Sequence, residues 1–154
     1  MSLQVVLRHL LPGKKSGTFG ICGAGLQGRT QTMALASEYH IDKLMIYDPV
    51  PEACEGFVRD MADVVQGEIV IAKEPKETAD CDALISVTNA NNEFIKGDWL
   101  GPGSIYLVVG DPCGCNIQTP HTDRNDQTTL LGNVFYSAPS SCQFTYCAID
   151  TIRR

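Results

Sequence analysis

Basic side chains are scarce in this chain and unclustered. Twelve Lys and Arg stand against 18 Asp and Glu over 154 residues, a net charge of −6, and no basic stripe runs through the sequence. Affinity for a nucleic-acid backbone comes from clustered cations, so a nucleic-acid partner is not expected. Long apolar runs are absent as well. No stretch of about 18 apolar residues occurs, and no charged-then-apolar leader with a small-residue cleavage site opens the chain, so no membrane partner is expected and the expected location is cytoplasmic. Seven cysteines are an odd number, which without an export signal reads as reduced thiols rather than a disulfide framework. Paired metal-ligand spacing is missing too. Cys113-x-Cys115 with His121 comes nearest, but structural zinc sites place two or more residues between paired cysteines and draw on a second pair, so no metal is expected. Cys22 lies in an apolar run with no histidine signalled beside it, which discounts a cysteine nucleophile.

What is present begins with a glycine motif in an informative place. Gly23-Ala24-Gly25-Leu26-Gln27-Gly28 follows the short apolar run Phe19-Gly20-Ile21-Cys22 and opens a helical stretch, the strand-to-helix context in which G-x-G-x-x-G binds a dinucleotide. Gly23 is expected to turn the chain off the strand, Gly25 to let backbone approach a pyrophosphate, and Gly28 to let helix and strand pack closely. The helix start offers unpaired N–H groups and the positive end of its dipole to a phosphate, with Arg29 as an assisting cation. A second apolar run, Leu44-Met45-Ile46-Tyr47, ends at Asp48, 20 residues after Gly28. A carboxylate at the end of the second strand accepts hydrogen bonds from the adenosine ribose and repels a 2′-phosphate, and no cation occurs between Asp48 and Arg59, so NAD is favoured over NADP. Asp48 also reads as a helix-initiating carboxylate ahead of Pro51-Glu52, and the two roles are compatible.

At 44% hydrophobic, the chain suits one domain with a single core. Val5 to Leu11 has apolar positions at helical spacing. A first helix is expected from about Leu26 to Tyr39, with His40 just past its end, and a second starts at Pro51, has the body Ala53 to Val65 and is capped by Gly67. Further strands are expected at Glu68–Ala72, Ala83–Val87 and Ser104–Val109, with one or two helical turns over Pro75–Asp80. Strands alternating with helices predict an α/β fold: a Rossmann-type doubly wound parallel sheet with helices on both faces. The expected division is a leading helix and linker over 1–17, a dinucleotide-binding domain over 18–111, and a tail over 112–154 with strand character only at Val134–Tyr136 and Phe144–Tyr146.

With Gly20 to Arg29, Ile46-Tyr47-Asp48, Thr88-Asn89-Ala90, Trp99-Leu100-Gly101-Pro102-Gly103 and Gly110-Asp111 in hand, the chain resembles the NAD-binding domain of the ornithine cyclodeaminase/mu-crystallin family. The resemblance covers residue 5 to about residue 111. It implies chemistry in which NAD takes a hydride from the α-carbon of an amino acid, leaving an imine; members then cyclise and deaminate, act as dehydrogenases, or reduce ketimines. By this resemblance Gly23 to Gly28 hold the pyrophosphate, Asp48 the adenosine ribose, and Val87, Thr88 and Asn89 lie beside the nicotinamide half. Asp111 is the candidate for proton transfer at the substrate nitrogen, its alternative being a turn residue before Pro112. Family enzymes take the lysine and arginine that grip the substrate from a separate lobe, for which this sequence leaves no room. Lys14 and Lys15 cannot be equated with them, and Pro112 to Asn116 departs from the family pattern. The expectation is therefore an NAD-binding domain without its substrate lobe, inactive alone, whose bared apolar surface would favour a homodimer. The alternatives are a non-catalytic NAD-binding or degenerate module and an S-adenosylmethionine-binding domain, which shares the glycine loop and the second-strand acid.

Overall fold

A computed structural model describes residues 11, 13–87, 95, 99–101, 104–110, 128–136 and 144–151. The expected helix at Val5–Leu11 lies outside them except for Leu11.

The chain alternates strand and helix as the apolar pattern predicts: β1 (Ser16–Cys22), α1 (Leu26–Glu38), β2 (His40–Tyr47), α2 (Pro51–Met61), β3 (Glu68–Ile71), a 3-10 turn (Pro75–Ala79), β4 (Ala83–Ser86) and β5 (Ile105–Gly110). These five strands are parallel neighbours in the order β3-β2-β1-β4-β5. The chain thus winds outward from β1 in one direction to β3, then crosses back to start β4 on the other side of β1. Parallel strands buried on both faces need apolar residues without alternation, and Phe19, Ile21 and Cys22 of β1 and Leu84 and Ile85 of β4 have no exposed surface at all.

Strand periodicity divides these residues between two faces. Phe19, Ile21, Leu44, Ile46, Ile85 and Leu107 pack with Leu35 of α1 and with Cys54, Phe57 and Met61 of α2. Cys22, Leu84 and Tyr106 face the other way, under Ala79 of the 3-10 turn, with Trp99 and Leu100 packed against them. Both described α-helices therefore cover one face, and the second is closed by a tight turn and a loop. The turn sits so low that a Cβ on Gly20 would stand 2.2 Å from the Thr78 carbonyl oxygen.

α2 follows its sequence signals at the start, with Pro51 in its first turn and Cys54, Phe57 and Met61 buried at three- and four-residue spacing. It stops at Met61 rather than running to Val65, and Gly67 is not its cap. The physical demand on Gly67 comes from β2, because a Cβ there would stand 2.0 Å from the Asp42 carbonyl oxygen. α1 buries Gly28, Gln31, Thr32 and Leu35. Thr32 enters the core by donating its hydroxyl to the Gly28 carbonyl at 2.8 Å. β2 begins four residues before the apolar run, at His40, whose N–H donates to the Lys15 carbonyl at 2.8 Å; pairing with β1 extends the strand through polar residues.

The tail does more than its composition indicates. β6 (Thr128–Tyr136) and β7 (Phe144–Thr151) pair antiparallel, and β7 inserts antiparallel beside β5, giving the seven-strand order β3-β2-β1-β4-β5-β7-β6. The parallel sheet is thus extended into a mixed one.

Candidate functional site

Register builds the site. Cys22 stands level with Tyr47 on one side and Ser86 on the other, so the next residues, Asp48, Gly23 and Val87, emerge side by side at the carboxyl edge of β2, β1 and β4. Between β1 and β4 the winding reverses, and such a point leaves a crevice because the flanking connections diverge to opposite faces.

Gly23 has φ +115°, a conformation that L side chains rarely adopt. A Cβ there would also press on Val87, 2.9 Å from its Cγ2. Its N–H donates to the Tyr47 carbonyl at 2.8 Å, and the Val87 N–H donates to the Cys22 carbonyl at 2.9 Å, so the bend is pinned to both neighbouring strands. Gly28 packs against the same bend, since a Cβ there would stand 2.0 Å from the Gly23 carbonyl oxygen. Gly25 differs from both: its φ is −77°, and among the described residues nothing lies within 4 Å of where its Cβ would stand. Among the described residues, none fills the space in front of Gly25. α1 starts there with no side-chain cap and no acidic residue in its first turn. Its first N–H groups consequently lack intrahelical acceptors and face a positive dipole end outward, which is the chemistry of an anion cradle.

Asp48 reaches into this loop. Its Oδ2 accepts the Ala24 N–H at 2.8 Å and its Oδ1 accepts the Val50 N–H at 2.9 Å. The carboxylate therefore steadies the glycine loop with one oxygen and the turn into α2 with the other. Val50, not Asp48, is the N-cap of α2. A carboxylate has about four lone-pair sites, so two remain for hydroxyl donors. Leu26 and Val50 flank the loop and the acid as exposed apolar residues, 76% and 52% accessible. Gln27 is half-buried beside Leu26.

Arg29 is held between the glycine loop and α2. Its Nε donates to Asp60 Oδ2 at 2.8 Å, its Nη1 to the Ala24 carbonyl, and its guanidinium lies 5.8 Å from the Phe57 ring centroid. The sequence gives no signal for this pairing with a residue 31 positions away. Lys14 bonds to Asp82 at the opposite, amino end of the sheet, where the Thr18 N–H also meets Asp82 at 2.9 Å. Thr88, Asn89 and Asp111 lie outside the described residues; the first two directly follow Val87, and Asp111 directly follows the last residue of β5.

Cys22, at the end of β1, is a buried thiol in contact with Thr78 Oγ1 at 3.2 Å. Burial pushes it up to about 12, against a partial lowering by the Thr78 hydrogen bond. Desolvation likewise raises Cys81 to about 12 and raises Cys54. None of the three supplies thiolate near neutral pH. Among the described residues no group of three or more His, Cys, Asp or Glu is placed to hold a metal ion, and no helix is long and apolar enough to cross a membrane.

Comparison with known proteins adds the following. A family model described as Ornithine cyclodeaminase/mu-crystallin family matches residues 4–134. An ornithine cyclodeaminase from Brucella suis is 30% identical over 113 residues, covering 71% of this chain and 31% of that protein. The structure of Thermococcus litoralis Δ1-pyrroline-2-carboxylate reductase in complex with NADH and L-proline aligns with a TM-score of 0.54 at 33% identity, over 59% of this chain and 28% of that one. The chain thus spans about a third of the length of the curated relatives it matches. A likeness in fold alone reaches further: M. capricolum TrmK in complex with S-adenosyl-homocysteine aligns over 98% of this chain and 69% of that one, with a TM-score of 0.61 at 11% identity.

Proposed function

This chain belongs to the ornithine cyclodeaminase/mu-crystallin family, and from that premise we propose that its residues form the nucleotide end of an NAD-dependent reaction at the α-carbon of an amino acid, an oxidoreduction or a cyclodeamination. The reading rests on the carboxyl edge of the sheet, where open space before Gly25 meets an uncapped helix start and a carboxylate with lone pairs to spare. These residues fit a dinucleotide: the pyrophosphate against the N–H groups of Gly25 to Gly28, the adenosine ribose on Asp48, and the apolar surfaces of Leu26 and Val50 to either side. NAD when bound supplies a hydride acceptor.

The chain's own residues then bind and orient. Asp48 presents negative charge where NADP would bring a 2′-phosphate, and its neighbours Pro49, Val50 and Pro51 offer no cation to offset the repulsion. Val87 ends the described part of this edge, and Thr88 and Asn89, next in sequence, are assigned to the nicotinamide half. Asp111, next in sequence after the last residue of β5, is assigned the proton at the substrate nitrogen. The cations that grip the amino-acid carboxylate are supplied from outside these residues, so the 154-residue chain alone holds nucleotide without turning over amino acid. The relatives support the reading by their own names: one is an ornithine cyclodeaminase, and another was solved with NADH and L-proline.

A melting series with NAD, NADP and S-adenosylmethionine tests the assignment. A ligand at 100 times its Kd stabilises by about 2.7 kcal/mol, which for this chain length raises Tm by about 5–10 °C. NAD is expected to do so, with NADP binding at least about tenfold more weakly. Stabilisation by S-adenosylmethionine and none by NAD would reverse the reading in favour of the fold-level likeness. Substantial turnover of ornithine, lysine or alanine with NAD by the chain alone would show that no outside lobe is needed.

A further inference from the structure

Building on the nucleotide-binding reading, we propose that Arg29, anchored by Asp60, is a positioning residue for the pyrophosphate loop: it sets the Ala24–Gly25 peptide through the Ala24 carbonyl and does not itself meet phosphate.

Two of the three guanidinium nitrogens and one face of the group are engaged. Nε is held by Asp60 Oδ2 at 2.8 Å and Nη1 by the Ala24 carbonyl. One face covers Phe57, which is fully buried, at 5.8 Å. Nη2 is the atom nearest to where a Gly56 Cβ would stand, 3.4 Å away. Asp60, Phe57 and Gly56 all belong to α2, so Arg29 ties the first turn of α1 and the loop before it to the neighbouring helix. Moving the whole guanidinium toward phosphate would break an ion pair, a cation–π contact and a carbonyl hydrogen bond together.

The consequence for the loop follows from peptide geometry. The Ala24 carbonyl and the Gly25 N–H belong to one trans peptide and point in opposite directions. Arg29 pulls the carbonyl toward α2 and thereby aims the Gly25 N–H away from α2. Asp48 holds the other side of the same residue by accepting the Ala24 N–H at 2.8 Å. A cation on the carbonyl and an anion on the N–H favour the same orientation of Ala24, so the donors of the cradle are set before any nucleotide arrives, at no reorganisation cost on binding. The ion pair is partly exposed, with Arg29 24% and Asp60 56% accessible, so its effect is modest in size but definite in sign.

That sign provides the test. Were Arg29 a phosphate ligand restrained by Asp60, Asp60→Asn would free it and tighten NAD binding; as a positioning residue it loses its anchor and binding weakens. NAD affinity is measured by calorimetry on the 154-residue chain as wild type, Asp60→Asn, Arg29→Lys and Arg29→Met. Hydrogen exchange of the Ala24 amide is followed in the same proteins without ligand. Asp60→Asn and Arg29→Met are each expected to weaken NAD by about fivefold, and Arg29→Lys by less, since an ammonium keeps the charge but not the fork. Ala24 exchange should quicken by about threefold or more while the Phe19 and Ile21 amides of β1 hold their wild-type rates. Tighter NAD binding in Asp60→Asn, unchanged affinity in both variants, or unchanged Ala24 exchange each overturns the proposal. If wild type binds no NAD, the nucleotide reading fails, and Ala24 exchange alone decides whether Arg29 holds the loop. Should Arg29→Met not fold, Asp60→Asn at its exposed position carries both measurements.

Discussion

Substituting the middle glycine of the loop separates binding from folding. At Gly25 the backbone has φ −77° and ψ −165°, which any L residue adopts, and a Cβ would meet none of the described residues within 4 Å. Gly25→Ala therefore introduces no clash. Restricting the unfolded chain stabilises by about 0.4–1 kcal/mol, while alanine is a poorer N-cap than glycine by a similar amount. The two nearly cancel, and Tm should move by no more than about 3 °C. The added methyl occupies the space the pyrophosphate is proposed to fill, so NAD affinity should fall by about 30-fold or more, roughly 2 kcal/mol. Gly28→Ala gives the contrast. Its Cβ would stand 2.0 Å from the Gly23 carbonyl oxygen, and since backbone cannot swing aside as a side chain can, the cost should be about 3 kcal/mol, with Tm falling by about 6–12 °C. Thermal melts and NADH fluorescence titrations on the two variants decide the matter. A Gly25→Ala protein that melts like wild type and binds NADH equally well would refute the cradle, because a well-formed loop that accepts a methyl at its centre is not holding a phosphate there.

Gly20→Ala would set a Cβ 2.2 Å from the Thr78 carbonyl oxygen and 2.9 Å from Leu84 Cδ1; a loss of about 3 kcal/mol is expected by denaturant titration, and an unchanged midpoint would mean that the 3-10 turn yields freely. Gln31 is 5% exposed and its Oε1 is buried with no hydrogen-bond partner among the described residues, so Gln31→Met, of similar shape, should raise stability by about 1 kcal/mol; a lower Tm would reveal a partner that the carbonyl serves. Cys22 and Cys81 titrate at about 12 in the fold against 9.0 without it. The stability from keeping them neutral is complete below about pH 9 and is lost as pH rises toward 12, because the unfolded chain releases these protons first. Denaturant midpoints should therefore fall across that alkaline window, less steeply in Cys22→Ala. An equal slope in the two proteins would remove Cys22 from the account. At about pH 8 a thiol reagent should leave both residues unmodified until the protein unfolds, as read by peptide mass mapping.

Of the site, the parts legible in the sequence are those whose chemistry is local. A tight turn at Gly23, an uncapped helix start at Gly25 and an acid closing the second apolar run are each written within a few residues. The strand runs were legible because a parallel sheet buried on both faces leaves continuous apolar stretches. Contacts between distant segments leave no such signature. Only the folded chain shows that Gly67 yields to the backbone of β2, that Gly20 lies beneath Thr78, that β2 begins at His40 because β1 offers a partner there, and that β7 slides between β5 and β6. Arg29 shows the division most clearly. In the sequence it is a cation beside a phosphate loop, and in the structure it belongs to Asp60 and Phe57 on α2. Periodicity and propensity report what a residue needs from its own neighbourhood, while the partner of a long side chain is decided by which helix the sheet places beside it.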